Sequence, residues 1–538
     1  MVLTSPVESH HTRHGGISMK FVRTPIVLAL ALALGACAVG PDYRRPAVAV
    51  PTKFKELDGW AQAQPAAEAP KGDWWTVFHD PLLDELEPMV VVSNQTVRQD
   101  YANYEEALAE VRVARASLFP SIGVTGSATR ERSSTGSSSS SLSASSFSVS
   151  RRNVNNSASL EGSVSWAPDL WGQVRRTVEE NAASAQASQA TLANATLSEQ
   201  VTLATAVIDL RITDANIDLL TKTVDNYKEY LRVVSDQTQA GTEPPSDLIT
   251  AKTQLESAQS SLIALGVSRA QYEHAIAVLV GKNPEDLDIS HSTSMPVLPS
   301  IPVGVPSTLL QRRPDIAVAE REMAAQNAAI GVAVSAYYPT ISLSAAAGFS
   351  ASPLAGLLNI GNYVWSLGAD VSQTLFDGGE RSGKVAAAKA AYDAAVANYR
   401  GTVLTAFEGV DNDLAGLRIL AEQAKVLDAE VKDATRGAQI ALDEYQAGTV
   451  DYTTVATAQT TLLSAQETAL GVEQTRLVDA VSLIGDLGGG WSADALCDPR
   501  HAKCEAPASG NSGASAPAAS TPAASSTSAE RSPLHASR

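Results

Sequence analysis

Large side chains are scarce in this sequence: Phe, Trp and Tyr together make up only 5% of its 538 residues. Alanine, serine, threonine and glutamine crowd its middle part instead. A compact globule of this size would need more large side chains to fill its core. Small side chains let helices approach one another closely, so the composition favours long helices that pack side by side.

Positive charge is scarce as well, since 40 Lys and Arg residues stand against 58 Asp and Glu residues and the formal net charge is −18. Nucleic-acid binding needs a basic face, so this charge balance argues against nucleic acid as a partner. The eight histidines are scattered, and no glycine-rich phosphate loop accompanies the arginine pair at 312–313. We therefore predict that the chain is not an enzyme and needs no cofactor.

Long apolar runs are missing too, and the longest candidate, residues 25–39, is shorter than the about 20 residues that cross a bilayer as a helix. Two cations precede this run and small residues close it at 34–37, which is typical of a secretory signal. The cysteine at the end resembles that of a bacterial lipobox. The resemblance implies that residues 1–36 are a leader, with Met19 as the true start, and that the lipid-modified mature chain begins at Cys37. The alternative is a short buried helix with an incidental cysteine.

Cysteine is rare, and the remaining two, Cys497 and Cys504, lie near the C-terminus. In an exported protein such a pair can form a disulfide, and free thiols are the next alternative. With His501 between them, the two cysteines could also belong to a metal site. Zinc usually takes four ligands, however, so no metal is predicted. We interpret residues 492–538 as a C-terminal tail that is mostly disordered, because 505–538 are rich in Ala, Ser and Pro.

The chain contains an internal repeat. The tetrapeptide QAGT occurs at 239–242 and again at 446–449, an offset of 207, whereas Pro120 and Pro339 in two similar segments are 219 apart. The first copy is therefore longer by 12 residues, and its serine-rich tract at 133–150 reads as a surface loop. We predict an N-terminal segment with a first helix at 37–110, a first repeat at 111–300 and a second repeat at 301–491.

Each repeat contains two stretches in which apolar and polar residues alternate, near residues 122–126, 160–166, 341–347 and 363–371. Alternating segments of about ten residues are typical of membrane-crossing β-strands, although half-buried hairpins of soluble proteins share the pattern. After each strand pair a long helix is predicted. Between Gly172 and Gly241 there is neither glycine nor proline, so about 100 Å of helix can run unbroken.

The second long helix is predicted from Lys384 to Ala447. Each long helix ends at a QAG turn and reverses into a second helix, at 246–280 and 453–486. Glycine suits the position after a helix end because it adopts a left-handed conformation.

Four strands per chain cannot close into a barrel, and open strand edges are not tolerated in hydrocarbon. Two chains would give eight strands, whose interior is filled by side chains, whereas three would give twelve strands and a lumen. The fold predicted is a mixed α and β membrane protein, in which three chains form a 12-stranded β-barrel that is continued by a long α-helical barrel. The alternative, a solid coiled-coil stalk, leaves the strands unexplained.

Five motifs resemble those of the TolC/OprM outer-membrane factors, specifically the NodT-type lipoprotein branch. They are CAVGPDY at 37–43, WWTVFHDPLL at 74–83, RRPDI at 312–316, TLFDGG at 374–379 and LGGGW at 487–491. The resemblance implies a homotrimer in the outer membrane of a Gram-negative bacterium, lipid-anchored and extending into the periplasm. It implies the passive exit duct of a tripartite efflux system for drugs or other small toxic compounds. The partners implied are a periplasmic adaptor and an inner-membrane transporter of the resistance-nodulation-division type.

Two alternatives to drug efflux stay open at this point. One is an outer-membrane channel for type I protein secretion, and the other is a periplasm-spanning lipoprotein that conducts nothing.

The resemblance further implies a constriction where the paired helices turn. Thr454 and Thr457 occupy positions at which family members often carry aspartate, so Asp451 and Asp247 are the remaining acidic candidates. Each of these two is either a gate residue or a helix cap, a position that aspartate suits. Tyr445 lies one residue before the second QAG and is predicted to hydrogen-bond at the tip. The predicted tip and gate residues are Gly241, Asp247, Tyr445, Gly448, Asp451, Tyr452, Thr454 and Thr457.

Overall fold

A computed structural model describes residues 38–56, 73–132, 154–301, 306–352, 356–501 and 504 of the chain. The predicted leader, Cys37, the serine-rich tract and the tail from 505 onward lie outside these described residues. The helices are α1 (Pro81–Ser93), α2 (Gln95–Ala116), α3 (Gln173–Gln239), α4 (Pro245–Leu279), α5 (Leu309–Arg312), α6 (Pro314–Ser335), α7 (Glu380–Gln446) and α8 (Tyr452–Asp486). The strands are β1 (Ser121–Arg132), β2 (Val154–Trp166), β3 (Thr340–Ala351) and β4 (Tyr363–Ser372).

The long helices follow the prediction closely. Helices α3 and α7 each have 67 residues, about 100 Å, and each turns back into a helix of 35 residues, α4 or α8. Helix α3 is unbroken because no glycine or proline lies between Gly172 and Gly241, and these two glycines lie at its ends. No helix among the described residues is long and apolar enough to cross a membrane.

The repeat begins earlier than the predicted boundary at 110/111, which falls inside α2. Helices α2 and α6 have 22 residues each and begin 219 positions apart, at Gln95 and Pro314, so both belong to the repeat unit. The signal for the first start is Asn94, whose side chain accepts hydrogen bonds from the backbone of Thr96 and Val97. Such a cap begins a helix, so Asn94 marks the start of α2 within the segment that the sequence assigns to 37–110.

The four strands form one antiparallel sheet in the order β1-β2-β3-β4. Cα partners include Ile122 with Val164, Leu160 with Phe349 and Ala347 with Trp365. The strands adjoin the helices at one end only, because β1 follows α2 and β2 precedes α3. The sheet therefore continues the long axis of the helices.

The main hydrophobic core lies about halfway along the long helices, where α1, α3, α6, α7 and α8 contribute side chains to one cluster. Its largest fully buried members are Phe54, Trp74, Phe78, Leu83, Leu203, Ile208 and Tyr399. Arg211 on α3 enters this core paired with Asp80, with 2.9 Å between Nε and Oδ2. Because both side chains are almost fully buried, each neutralises the charge of the other.

An extended segment, residues 38–56, links the sheet end of the helices to this core. It begins beside Trp171, whose carbonyl accepts from the backbone N–H of Val39 at 3.1 Å. Further on, the Tyr43 hydroxyl donates to Glu320 at 2.5 Å and Arg45 donates to the Tyr399 hydroxyl at 2.9 Å. The segment thus bridges the first and second repeats.

The first residues of the predicted C-terminal tail pack against the long helices. Cys497 and Cys504 are joined by a disulfide, with 5.7 Å between their Cα atoms. The backbone of Cys497 exchanges hydrogen bonds with two side chains of α3, donating to Gln189 at 2.9 Å and accepting from Gln186 at 3.2 Å. The described residues after 491 are therefore packed against α3, a long-range contact that composition does not reveal.

Candidate channel wall and gate

The sheet has two chemically different faces. Partners across the strands keep apolar residues on one side: Ile122, Val124, Leu160, Val164, Ile341, Leu343, Phe349, Trp365, Leu367 and Val371. The other side carries mostly hydroxyl groups, with few charges: Thr125, Ser127, Thr129, Ser157, Ser159, Glu161, Ser163, Ser342, Ser344, Ser366 and Asp370. An apolar face suits lipid and a hydroxyl-rich face suits water, which is the division that a membrane channel wall requires.

Two edges of this sheet are open. Strands β1 and β4 each have one neighbour among the described residues, and all residues of both strands are exposed in the single chain. Unpaired N–H and C=O groups cost several kcal/mol each in hydrocarbon. The sheet of one chain is therefore an incomplete wall.

Aromatic side chains mark the junction between sheet and helices. The indole N–H of Trp166 donates to the Leu118 carbonyl at 3.0 Å, and that of Trp171 donates to the Pro339 carbonyl at 2.7 Å. Trp171 stacks on Tyr338 with ring centroids 5.0 Å apart. Rings with satisfied polar ends concentrate at the boundary between hydrocarbon and water, so the aromatic side chains at this junction suit such a boundary.

The described chain begins at this same junction. A Cβ atom added to Gly172 would lie 2.8 Å from the Cα of Ala38, so Ala38 packs directly against the start of α3. Arg176 fixes the segment further by an ion pair of 2.8 Å to Asp42. The residue that precedes Ala38 in the sequence is Cys37, the predicted lipid-attachment site.

At the other end of the long helices, two tyrosines link the two helical hairpins. The Tyr445 hydroxyl on α7 donates to Gln237 on α3 at 2.5 Å, and the Tyr452 hydroxyl on α8 donates to Gln254 on α4 at 3.3 Å. The two rings meet edge to face with centroids 5.8 Å apart. Burial and the nearby carboxylates of Glu243 and Asp247 raise the pKa of Tyr445 to about 12, so its hydroxyl keeps its proton at neutral pH.

The two acidic candidates occupy different positions. Asp451 is the N-cap of α8, where its Oδ1 accepts from the backbone N–H and the hydroxyl of Thr454, at 3.2 and 3.0 Å. Asp247 caps nothing, because α4 begins after Pro244 without a side-chain cap. Its side chain is buried beside Ser246, which donates to Oδ1 at 3.1 Å, and its Oδ2 has no hydrogen-bond partner among the described residues.

The remaining predicted tip residues form the turns and the exposed surface of α8. Gly241 and Gly448 follow the ends of α3 and α7 with φ of 77° and 71°, in the left-handed region that glycine tolerates. Thr457 is exposed and its hydroxyl donates to the Thr453 carbonyl at 2.8 Å, so it is satisfied within its own helix. Thr454 is exposed as well.

Sequence reasoning missed the glutamines. Gln237 and Gln254 lie 208 and 198 positions from their tyrosine partners, and no local pattern joins residues so far apart. A weak signal existed, because Gln237 lies just before the first QAGT and Tyr445 just before the second. Among the residues that the structure describes, no group of three or more metal-ligating side chains comes together.

Comparison with known proteins identifies the class. The outer membrane efflux protein family model matches residues 88–282 and 305–489, and the chain belongs to this family. Outer membrane protein OprJ of Pseudomonas aeruginosa is 30% identical over 470 residues, covering 86% of this chain and 95% of OprJ. The toluene efflux pump outer membrane protein TtgF of Pseudomonas putida is 28% identical over 474 residues, covering 86% of this chain and 96% of TtgF.

The fold matches solved structures as well. The outer-membrane channel OprN superposes with a TM-score of 0.77 at 29% identity, covering 85% of this chain and all of OprN. The chain is thus an outer-membrane efflux protein, a transport protein whose helices extend into the periplasm. The predictions of family, function and location are confirmed.

Proposed function

We propose that three chains assemble into a 12-stranded β-barrel that continues as an α-helical barrel. The observation that carries this proposal is the two-faced sheet with both edges open. Three copies joined edge to edge, β4 to β1 of the next chain, pair every strand and leave the hydroxyl-rich face around a lumen. One copy cannot satisfy its edges, and two would enclose a space that side chains fill.

The helices support the same arrangement. Across the layer, α3 packs on α4 and on α8, and α8 packs on α7, so α4 and α7 lie at its two edges. Both edge helices expose apolar side chains, among them Ile263 and Val267 on α4 and Leu404 and Val426 on α7. Because the two apolar edges differ, one edge of a chain contacts the other edge of the next chain, head to tail. Such contacts close into a ring when the rotation between successive chains permits it.

A lipid anchor at Cys37 agrees with this geometry. Contacts of Ala38, Val39 and Asp42 hold the segment that begins at Ala38 beside the junction between sheet and helices, which supports a lipid anchor on the preceding cysteine. The anchor adds to the barrel rather than replacing it, because a single acyl chain binds membranes only marginally.

The proposed cargo is small toxic compounds, including drugs and solvents. TtgF is named as part of a toluene efflux pump, and this chain is similar to it over most of its length. A hydroxyl-lined wall offers no built pocket that would select one compound, so selection falls to the inner-membrane transporter. We propose one of the resistance-nodulation-division type, joined to this duct by a periplasmic adaptor.

The gate is proposed at the linked hairpins. Tyr445 with Gln237 and Tyr452 with Gln254 tie α7 and α8 to the first pair of helices, which resists their outward movement. An adaptor that opens the tip must bind the open form better than the closed form by more than these contacts contribute.

Native mass measurement and planar-bilayer recording of the purified protein test the proposal. The expected results are a mass of three chains, an acylated peptide beginning at Cys37, and single-channel currents. A stable folded monomer or dimer would falsify the barrel. An unmodified peptide that contains residues 19–36 would remove the anchor, and trimers without current would remove the duct.

A further inference from the structure

The outer end of β1 carries two arginines on the lipid-facing side of the sheet. Arg130 pairs across the ladder with Asn156 and Arg132 with Val154, and both continue the row that begins with the apolar Ile122 and Val124. Side chains two positions apart share a face of a strand, so these cations lie on the apolar face and not toward the lumen. An arginine on this face is costly within hydrocarbon and needs a reason.

The distance along the strand gives that reason. Arg130 lies nine residues beyond Ser121, which is level with the Trp166 end of β2. Nine residues span about 30 Å along a strand, or about 23 Å across a membrane at a tilt of about 40°. The apolar band of such barrels is about 25 Å tall, so Arg130 and Arg132 emerge at the head groups of the outer leaflet.

Neither arginine side chain has a partner among the residues that the structure describes. Both are exposed, and beyond the backbone pairing of the ladder their side chains make no hydrogen bond or ion pair to a described residue. Glu131 between them points to the opposite face of the strand. Residues 133–153, which connect β1 to β2, contain no Asp or Glu, and residues 353–362, which connect β3 to β4, contain no charged residue.

The sequence that includes this end of β1 is positively charged, whereas the whole chain is negatively charged. Residues 130–156 hold four arginines and one glutamate, a net charge of +3, in a chain whose formal net charge is −18. Arginine matches phosphate with two parallel hydrogen bonds, and unpaired arginines at a membrane surface therefore suit phosphate groups. An exposed cationic pair above an apolar face fits an amphiphile that is anionic at the head and apolar in the chains.

We propose that Arg130 and Arg132 form a binding site for the phosphate groups of the phosphorylated glycolipid in the outer leaflet. The site rests on the proposed barrel, because closure of the barrel turns this face toward lipid. Edge strand β1 then lies at the seam between two chains, and the bound glycolipid covers the outer end of that seam.

Lipid binding by the purified full-length trimer in neutral detergent tests the site, with lipid A as the probe. The double variant R130Q/R132Q is expected to bind lipid A at least about tenfold more weakly than the unchanged protein, since two charge-assisted contacts are lost. The variant R130K/R132K keeps the charges and is expected to retain most of the binding. Glu131→Gln, on the same strand and the opposite face, is the matched control and is expected to bind no more weakly than the unchanged protein.

Two further arms identify the ligand. Lipid A stripped of its phosphates is expected to bind as weakly to the unchanged protein as lipid A binds to R130Q/R132Q. Inorganic phosphate at millimolar concentration is expected not to displace lipid A, because the acyl chains hold it at the apolar face. Equal binding of the two lipids, displacement by inorganic phosphate alone, or undiminished binding by R130Q/R132Q overturns the proposal.

Native mass and bilayer conductance of every variant separate this proposal from the barrel itself. If the unchanged protein and R130Q/R132Q both form conducting trimers and bind lipid A equally well, the lipid site is refuted and the barrel is not. If the unchanged protein forms no trimer, the barrel is refuted and the site with it. Should R130Q/R132Q fail to assemble, Arg132→Gln alone, at the last residue of β1, is the variant to measure. It is expected to weaken binding of lipid A, and undiminished binding again overturns the proposal.

Discussion

The two long helices of this chain have the same length and nearly opposite surroundings. Helix α3 has 23 buried residues, whereas α7, its counterpart in the second repeat, has 11. The difference arises because α3 packs on neighbours along both sides and α7 lies at the edge of the layer. The lower burial of α7 agrees with the proposed trimer, in which a neighbouring chain covers this edge.

The largest expected effect comes from placing negative charges on the exposed face of α7. Leu404 and Val426 are exposed on α7 and lie 22 residues apart, within about 40° of each other at 3.6 residues per turn. Leu404→Glu with Val426→Glu places a carboxylate pair against the neighbouring chain, and unpaired charges buried in an interface cost several kcal/mol each. We expect the trimer to be lost, as measured by native mass.

The control is Lys425→Glu, one residue from Val426 and already charged. This variant is expected to remain trimeric. If the double variant also remains trimeric, the exposed face of α7 is not the contact between chains. The difference in burial between α3 and α7 then has another cause.

The second prediction uses a buried acid on α1, just before the first repeat, that has no counterpart before the second. Glu87 on α1 is fully buried with no hydrogen-bond partner for either carboxylate oxygen among the described residues, and burial raises its pKa to about 9. The residue 219 positions later is Pro306. Because the folded state holds Glu87 neutral, stability that is present below pH 4.5 is lost as the pH rises toward 9.

Glu87→Gln removes this dependence. At pH 7 the variant is expected to be more stable by about 3 kcal/mol, and near pH 4.5 the gain disappears. Thermal unfolding followed by circular dichroism across this pH range measures the effect. Glu85→Gln, exposed on the same helix, is expected to change nothing. A gain for Glu87→Gln that does not depend on pH would contradict the assignment of a neutral buried acid.

The third prediction breaks the links between the repeats at the tip. Tyr445→Phe with Tyr452→Phe deletes two hydroxyl groups that bond to glutamines of the first repeat, worth about 1 kcal/mol each. Single-channel conductance is expected to rise, and cells that carry the variant are expected to become more sensitive to large antibiotics. Tyr392→Phe, on α7 but far from the tip, is the control, because its hydroxyl has no hydrogen bond among the described residues. Unchanged conductance with a lower melting temperature would move the gate away from these tyrosines.

The smallest effect separates capping from gating. Helix α8 begins at the Asp451 cap, whereas its counterpart α4 begins after Pro244 with no side-chain cap. Asp451→Ala is expected to lower stability by about 1 kcal/mol and to leave conductance unchanged, and Asp451→Asn is expected to restore stability, because asparagine caps equally well. An increase in conductance for both variants would show instead that the negative charge at 451 holds the tip closed.

The elements were predictable because their signals are local. The bounds of α3 follow from two glycines and the unbroken run between them, and strands β1 to β4 follow from an alternation that a two-residue period imposes. The open sheet likewise follows from counting two strand pairs. Resemblance in five motifs then indicated the family that the comparisons confirm.

The long-range contacts were not predictable in the same way. Arg211 and Asp80 are 131 positions apart, and one sequence carries no measure of distance between such residues. The same holds for the glutamines at the tip and for Cys497 against α3. Asp451 was weighed as cap or gate, and only the position of its oxygen relative to the N–H of Thr454 shows that it caps the helix.

The duplicated hairpin has a consequence for stoichiometry. Each chain has two helical hairpins of equal length, so the proposed ring of three chains has six. Hairpins of the two kinds alternate around the ring, and they differ in the residues that follow the glycine turn. A partner that grips what the hairpins share, such as the glycine turn, meets six nearly equivalent places and binds twice per chain. A partner that reads Asp451 or Thr454 meets three. In the proposed complex, the number of adaptor molecules per ring therefore reports whether recognition uses what the two hairpins share or what distinguishes them.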